Sequence, residues 1–204
     1  MENKGAILIL SGPSGCGKST LLKEIYKNIE NYYFSISTTT RNPRVGEQNG
    51  VDYYYVSKEE FEKDIEDGHF LEWAKVHDNY YGTSLKPIIE ALNDGKLVIF
   101  DIDVQGHKIV RKKLNSQVTS VFITTPTLSV LKERLYSRNT DSQEIIENRL
   151  NNAKIEIDSF LEYDYLIIND NLEKAIKEIL AVANIARAKT KLFDKDTLLN
   201  SWFS

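Results

Sequence analysis

The sequence predicts an α/β fold: a doubly wound parallel sheet with helices on both faces, carrying an inserted lobe and a helical lid. Three observations predict it. Short, near-continuous apolar runs such as "AILIL" (6–10) and "LVIF" (97–100) read as strands buried on both faces of a parallel sheet. Segments of helical spacing alternate with such runs, which implies right-handed crossovers. The first run enters "SGPSGCGKST" (11–20) and passes straight into a helix, and a strand, glycine loop and helix in that order form a unit that seats phosphate.

Taken in order, "AILIL" is the first strand, and Leu21, Leu22, Ile25 and Ile29 recur at helical spacing behind the glycine loop. "FSIS" (34–37) and "VDYYYV" (51–56) read as strands. "SKEEFEKDIEDG" (57–68) is a helix with Ser57 and Glu60 in capping-box register and Gly68 as its stop. "SLKPIIEALNDG" (84–95) is another, ending at Gly95, and "KLVIFDIDV" (96–104) and "VTSVFITT" (118–125) are buried strands. "TLSVLKERLYSR" (127–138) and "DSQEIIENRLNNAKIEI" (141–157) are helical, the second opened by Asp141 and Glu144 in capping-box register. "YDYLIIND" (163–170) is the last strand and "LEKAIKEILAVANIARAK" (172–189) an amphipathic closing helix. "LFDKDTLLNSWFS" (192–204) is too short and mixed to assign. In sheets of this kind ligands sit at the C-terminal strand ends, and the stretches 37–86 and 126–159, which interrupt the alternation, are positioned to close over that edge.

With 204 residues, 41% of them hydrophobic and 27% charged, the chain suits one domain carrying inserted lobes. No apolar run approaches the roughly 18 residues that span a bilayer, and "MENKGAILIL" has too short an apolar part for a secretion signal. The expected location is the cytoplasm, with no membrane partner. A lone cysteine, Cys16, forbids an internal disulfide, and His69, His77 and His107 lack metal-ligand spacing. The formal net charge of −4 argues against a nucleic-acid surface, leaving room only for a local cluster of cations around a small anion.

Gly12, Gly17, Lys18 and Ser19 satisfy G-x-x-x-x-G-K-[ST], a match that arises by chance in roughly one chain in a hundred of this length. In that pattern the loop Gly12, Pro13, Ser14, Gly15, Cys16, Gly17, Lys18, Ser19 and Thr20 wraps the phosphates of ATP. Lys18 bridges the β- and γ-phosphates, and the Ser19 hydroxyl reaches Mg²⁺. Cys16 fills a position the motif leaves free and reads as a small filler. Asp101, ending a hydrophobic strand, lies where a carboxylate holds the water shell of Mg²⁺, and Asp103 shares its face if the strand continues.

Such a loop serves GTPases, motors, transporter ATPases and small-molecule kinases alike. No N-K-x-D guanine motif of a GTPase is present. Instead "STTTRNPRVGEQNGVDYYYV" (37–56) sets Arg41 and Arg44 beside tyrosines, and "FLEWAKVHDNYYGTS" (70–84) brings Glu72, Tyr81 and Thr83. Two guanidiniums and two phenols suit a monophosphate; solvated loop charges beside strand tyrosines account for the same residues.

These stretches, with "DIDVQG", "LKERLYSRNTDS" and "IIND" in order over about residues 5 to 190, resemble the guanylate kinase family, which moves a phosphoryl group from ATP to GMP. The resemblance implies a core of 1–36, 87–125 and 160–190, a GMP-binding lobe at 37–86, a lid at 126–159 and a tail at 191–204 of unassigned role. It places Arg41, Arg44, Tyr53 and Tyr81 on the monophosphate and Ser37, Glu72, Thr83 and Asp103 on guanine, and Glu47 and Asp101 complete the GMP-binding set. It implies that the lid arginines Arg134, Arg138 and Arg149 approach the transferring group and that Asn169 contacts adenine. Where the family commonly has glycine in the lid this chain has Asn139, which tolerates left-handed backbone angles.

The acceptor is then a phosphate, largely dianionic at pH 7, so no general base is required and cations should dominate the site. Two other readings compete: a non-catalytic guanylate-kinase-like module that binds protein partners, and a kinase of a phosphorylated ribose. The complete loop argues against the first, and Glu72, Thr83 and Asp103 with the Arg41, Arg44, Tyr53 and Tyr81 set argue against the second. No oligomer is predicted, although Leu198, Leu199, Trp202 and Phe203 suit either core packing or a subunit contact.

Overall fold

The computed structural model describes residues 4–76, 78–137 and 142–204, so His77, Arg138, Asn139 and Asp141 lie outside the described residues. From the N-terminus, β1 (Ala6–Ser11) enters the glycine loop and α1 (Lys18–Asn28), and β2 (Tyr32–Phe34) follows. An insert supplies β3 (Thr38–Thr39), β4 (Tyr54–Tyr55), α2 (Lys58–Glu66), β5 (Phe70–Val76) and β6 (Asn79–Ser84). The chain returns through α3 (Leu85–Asn93) to β7 (Leu97–Asp101), α4 (Val104–Leu114) and β8 (Val118–Thr124). Two helices, α5 (Leu128–Ser137) and α6 (Gln143–Glu156), precede β9 (Tyr165–Ile168), α7 (Leu172–Ala186) and α8 (Lys195–Phe203).

Five strands form a parallel sheet in the order β2-β7-β1-β8-β9. All six residues of β1 are buried, and their alternation divides the core. Ala6, Leu8 and Leu10 pack with Leu21, Ile25 and Ile179 of α1 and α7, whereas Ile7 and Ile9 pack with Ile88, Leu92 and Val110 of α3 and α4. Helices on both faces therefore follow from a central strand whose two sides are equally apolar. Because the strands are parallel, Ser11, Asp101 and Thr124 end at one edge, with the glycine loop above them.

The insert has its own four-stranded sheet, β4-β3-β6-β5. Phe61 of α2 stacks between Phe70 and Tyr80, at centroid distances of 4.2 and 5.2 Å, and gives this unit a small aromatic core. The α5 and α6 pair has a core as well, in Leu131, Leu135, Ile146 and Ala153.

The capping box of Ser57 and Glu60 is present, and Gly68 follows α2 at φ 70° as the stop. Several elements differ from expectation. "FSIS" is not one strand: Ser35 still donates to the Ile99 carbonyl, but the chain then crosses to the insert, where Thr38 begins another sheet. "VDYYYV" keeps only Tyr54–Tyr55, because Asp52 closes a turn by accepting from the Gln48 N–H. Ser142 caps α6 through the Ile145 N–H, in place of the expected Asp141 and Glu144 box. Helix α4 and the β5–β6 hairpin were not expected; α4 buries only His107 and Val110, too thin a stripe for periodicity to reveal. The tail is a helix, α8, whose approach residues Leu192 and Phe193 join the core while Trp202 and Phe203 stay exposed. Among the described residues no helix is long and apolar enough to cross a membrane.

Candidate functional site

The glycine loop is set by close approach. Gly12 has φ 138°, and a Cβ there would sit 1.9 Å from the Ile123 carbonyl oxygen; at Gly17, φ 103°, it would sit 2.3 Å from Asn169 Nδ2. Only glycine fits either position. Lys18, the first residue of α1, curls back so that its Nζ donates to the Gly12 carbonyl at 2.6 Å. One ammonium thus lies over a loop that ends in the free N–H groups of a helix N-terminus, a combination suited to anions. The Cys16 thiol is fully buried in the core and pushed up by that burial, with Lys18 opposing, so it is a packing group and a poor nucleophile.

Asn169 ties this loop to the far strands. Its backbone N–H donates to the Thr124 carbonyl at 2.7 Å and its buried side-chain amide to the Cys16 carbonyl at 2.8 Å. Replacing Asn169 with alanine removes that buried bond, so it should lower unfolding stability by about 1–3 kcal/mol and raise the KM for ATP. Denaturant unfolding beside ATP kinetics checks this, and unchanged values of both would refute the role of the tie.

The α5–α6 pair lies against the same loop. Leu131 and Leu135 crowd Gly15, where a Cβ would meet a Leu135 methyl at 2.9 Å. Arg134 donates to the carbonyls of Asn169, at 2.8 Å, and Cys16, so its guanidinium bridges the loop main chain and the segment that follows β9. Arg149 of α6 donates to the Ser14 hydroxyl at 3.1 Å. Beside Arg134 a cavity of about 280 Å³ is lined by Gly15, Gly17, Thr20, Asn169 and Asp170.

Across the edge, Asp101 has its carboxyl raised by burial, with the Lys18 ammonium pulling the other way. Its neighbour Asp103 does not share its strand face as expected: β7 stops at Asp101, and the Asp103 carboxylate accepts from the Gly106 N–H at 2.8 Å, capping α4. Ser19 is exposed in the first turn of α1. Hydroxyl and carboxylate oxygens are hard donors that suit Mg²⁺ shared with nucleotide phosphates. Among the described residues no group of three or more His, Cys, Asp or Glu is placed to hold a metal alone.

The insert gathers the other expected residues. Glu72 and Thr83 are register partners on β5 and β6, and the Thr83 hydroxyl donates to Glu72 Oε1 at 2.6 Å. Tyr81, two residues before Thr83, lies on the same face. Its ring meets that of Tyr53 edge-on, and Arg41 stands over Tyr53 with 5.5 Å to the centroid. Glu47 is a clasp: it accepts from Arg41 at 2.9 and 3.0 Å, from the Arg44 backbone N–H at 2.7 Å and from the Tyr55 hydroxyl at 2.7 Å. Those bonds, Arg41 first, pull the Glu47 carboxyl down to about 2, so the clasp stays charged through the neutral range. The Arg44 side chain makes no hydrogen bond or ion pair with the described residues and is exposed. Ser37 is half-buried, its carbonyl accepting from the Tyr54 N–H.

Sequence reasoning missed Tyr55, and the alternation of Tyr53, Tyr54 and Tyr55 was the available signal. Tyr53 and Tyr55 present both rings to Arg41, whereas Tyr54 pairs with the phenol of Tyr33. The Ser14–Arg149 link and the Arg134–Cys16 bond had no signal, since each joins segments more than a hundred residues apart.

Comparison with known proteins identifies the family. The model of the family described as "Guanylate kinase" matches residues 4–184. The chain is 55% identical over 198 residues to the guanylate kinase of Sulfurimonas denitrificans, covering 97% of this chain and 96% of that one. It is 52% identical over 202 residues to the guanylate kinase of Helicobacter pylori, covering 99% and 98%. The crystal structure of guanylate kinase from Anaplasma phagocytophilum superposes with a TM-score of 0.73 at 32% identity, covering 99% of this chain and 97% of that one.

Proposed function

The chain belongs to the guanylate kinase family, and from that premise we propose how its residues divide the transfer of the γ-phosphoryl group of ATP to GMP, giving ADP and GDP. The glycine loop, 12–20, holds the ATP phosphates, and Lys18 neutralises the β- and γ-phosphates. Asn169 and Arg134 border the cavity that takes adenine. The insert at 37–86 is the GMP-binding lobe and the segment 126–159 the lid.

The observation that carries the acceptor assignment is the Glu72–Thr83 pair. Glu72 Oε1 already accepts from Thr83, which fixes the carboxylate and leaves lone pairs directed outward from the sheet face it shares with Tyr81. Guanine offers N1–H and N2–H₂ along one edge, which a carboxylate accepts; adenine lacks that edge and would leave the carboxylate unpaired. Ser37 and Asp103 complete the guanine contacts, and Arg41, Arg44, Tyr53 and Tyr81 take the GMP phosphate. Glu47 orients the Arg41 guanidinium and anchors the main chain at Arg44.

The GMP phosphate, with a second pKa near 6, is its own nucleophile at pH 7, so no side chain need remove a proton. What the residues supply is alignment and charge: Lys18 on the donor, Arg41 and Arg44 on the acceptor, Arg149 and Arg138 from the lid. Arg134 joins them only when its bonds to the Asn169 and Cys16 carbonyls exchange. Ser19 and, through water, Asp101 would hold Mg²⁺, which supplies charge neutralisation at the ATP oxygens.

Steady-state ADP release with ATP and Mg²⁺ tests the assignment against GMP, AMP, CMP, UMP and no acceptor. Turnover with GMP should exceed that with AMP by at least three orders of magnitude, because a carboxylate that the wrong base covers and leaves unpaired discriminates strongly. Comparable turnover with AMP would overturn the guanine-reading role of Glu72.

A further inference from the structure

At the N-terminal end of the parallel sheet, opposite the glycine loop, α4 ends, β8 begins and the segment after α7 crosses. A cavity of about 680 Å³ opens there, within the range of small-molecule sites. Five cations line it, Arg111, Lys112, Lys113, Lys189 and Lys191, against one carboxylate, Asp164.

That carboxylate is saturated. Arg111 donates to both its oxygens, at 2.8 and 2.7 Å, and the Ser120 N–H and hydroxyl donate to it as well. Lys113 is held by the Phe70 and Leu71 carbonyls and Lys189 by that of Val118, neutral acceptors that fix an ammonium without cancelling its charge. Lys112 and Lys191 have no hydrogen bond or ion pair among the described residues. Five cations less one carboxylate leave four positive charges, in a chain whose formal net charge is −4. The C-termini of α4 and α7 end beside the cavity, but each offers only about half a negative charge. About three positive charges remain unanswered. Burial lowers the Lys189 ammonium, with Arg111 and Lys191 adding to the effect and Asp164 opposing it, as expected where cations crowd.

We propose that this cavity is a second anion site that binds a small polyphosphorylated ligand, either inorganic triphosphate or the triphosphate of a nucleotide. A monoanion leaves most of the charge unmatched, and the formal net charge of −4 argues against a nucleic-acid partner. The site is separate from the glycine loop and does not rest on the functional assignment above.

Calorimetric titration with inorganic tripolyphosphate tests it, using Lys18→Ala to weaken binding at the glycine loop. Lys18→Ala should still bind one equivalent, and Lys18→Ala/Lys112→Ala/Lys191→Ala should bind at least tenfold more weakly. Lys112 and Lys191 are exposed and unpartnered, so their removal should spare the fold. Loss of all binding in Lys18→Ala, or undiminished binding in the triple variant, overturns the proposal. UTP in the Lys18→Ala background identifies the source: equal affinity assigns recognition to the phosphates alone, and tighter binding to a nucleotide. Lys112→Ala/Lys191→Ala with Lys18 intact should keep full GMP-dependent turnover, and its loss would overturn the separateness of the two sites.

Discussion

Lys18→Ala should lower kcat/KM by about three orders of magnitude while the protein remains folded. The loss follows from charge: a preorganised cation aimed at a transferring phosphoryl group contributes on that scale, and no second lysine stands in the loop to replace it. Folding should survive because the side chain reaches only the Gly12 and Pro13 carbonyls, within its own loop. The loop itself is held from elsewhere, by the close approach of Gly12 to Ile123 and by the Asn169 amide on Cys16. Circular dichroism and thermal unfolding should therefore match the parent while turnover collapses. Lys18→Arg should rescue little, since a planar fork does not occupy the seat of a compact ammonium. Near-parental turnover in Lys18→Ala would remove the lysine from the chemistry.

The proposed donor half was legible in the sequence because its determinants are local. Gly12, Gly17, Lys18 and Ser19 lie within eight residues, and each answers a backbone or charge requirement that spacing alone expresses. The parallel sheet was legible for a related reason, since a strand buried on both faces leaves an unbroken apolar run, as β1 and β7 do. The acceptor half was not derivable in the same way. Glu72 and Thr83 are eleven residues apart and become neighbours only through the register of the β5–β6 hairpin, which no strong alternation announced. The Glu47 clasp likewise depends on a turn closed by Asp52, and that turn is what shortened the expected strand at 51–56. The family resemblance pointed to Glu72 and Thr83, and the register of the hairpin brings the two side chains together. Asp103 shows the reverse case, in which the strand pattern misleads: its carboxylate serves α4, a helix whose buried stripe of His107 and Val110 was too narrow to recognise.

Glu72→Gln should reduce kcat/KM for GMP by about two orders of magnitude, about 2.7 kcal/mol, and leave the KM for ATP unchanged. The substitution is isosteric, so β5 and its pairing with β6 should persist, and the amide oxygen can still accept from Thr83. What changes is the other atom. An amide nitrogen donates, and it would then face the N1–H and N2–H₂ donors of guanine, replacing a charge-assisted bond with two opposed donors. Inosine monophosphate separates this cause from general damage to the lobe, because it lacks the N2 amine. The parental enzyme should prefer GMP to inosine monophosphate clearly, and the variant should discriminate far less, since the lost acceptor is the one the amine uses. A loss of activity equal for both acceptors would mean that Glu72 shapes the lobe without reading the base. Unchanged GMP kinetics would mean that it does neither, and the guanine edge would then have to be sought at Ser37 and Asp103. The two substitutions also divide the reaction between them: Lys18→Ala removes charge from a donor site that any nucleotide acceptor would use, whereas Glu72→Gln removes the selection of one acceptor and leaves the donor site whole. If both behave as expected, the five-stranded core and the four-stranded insert carry separate halves of one transfer.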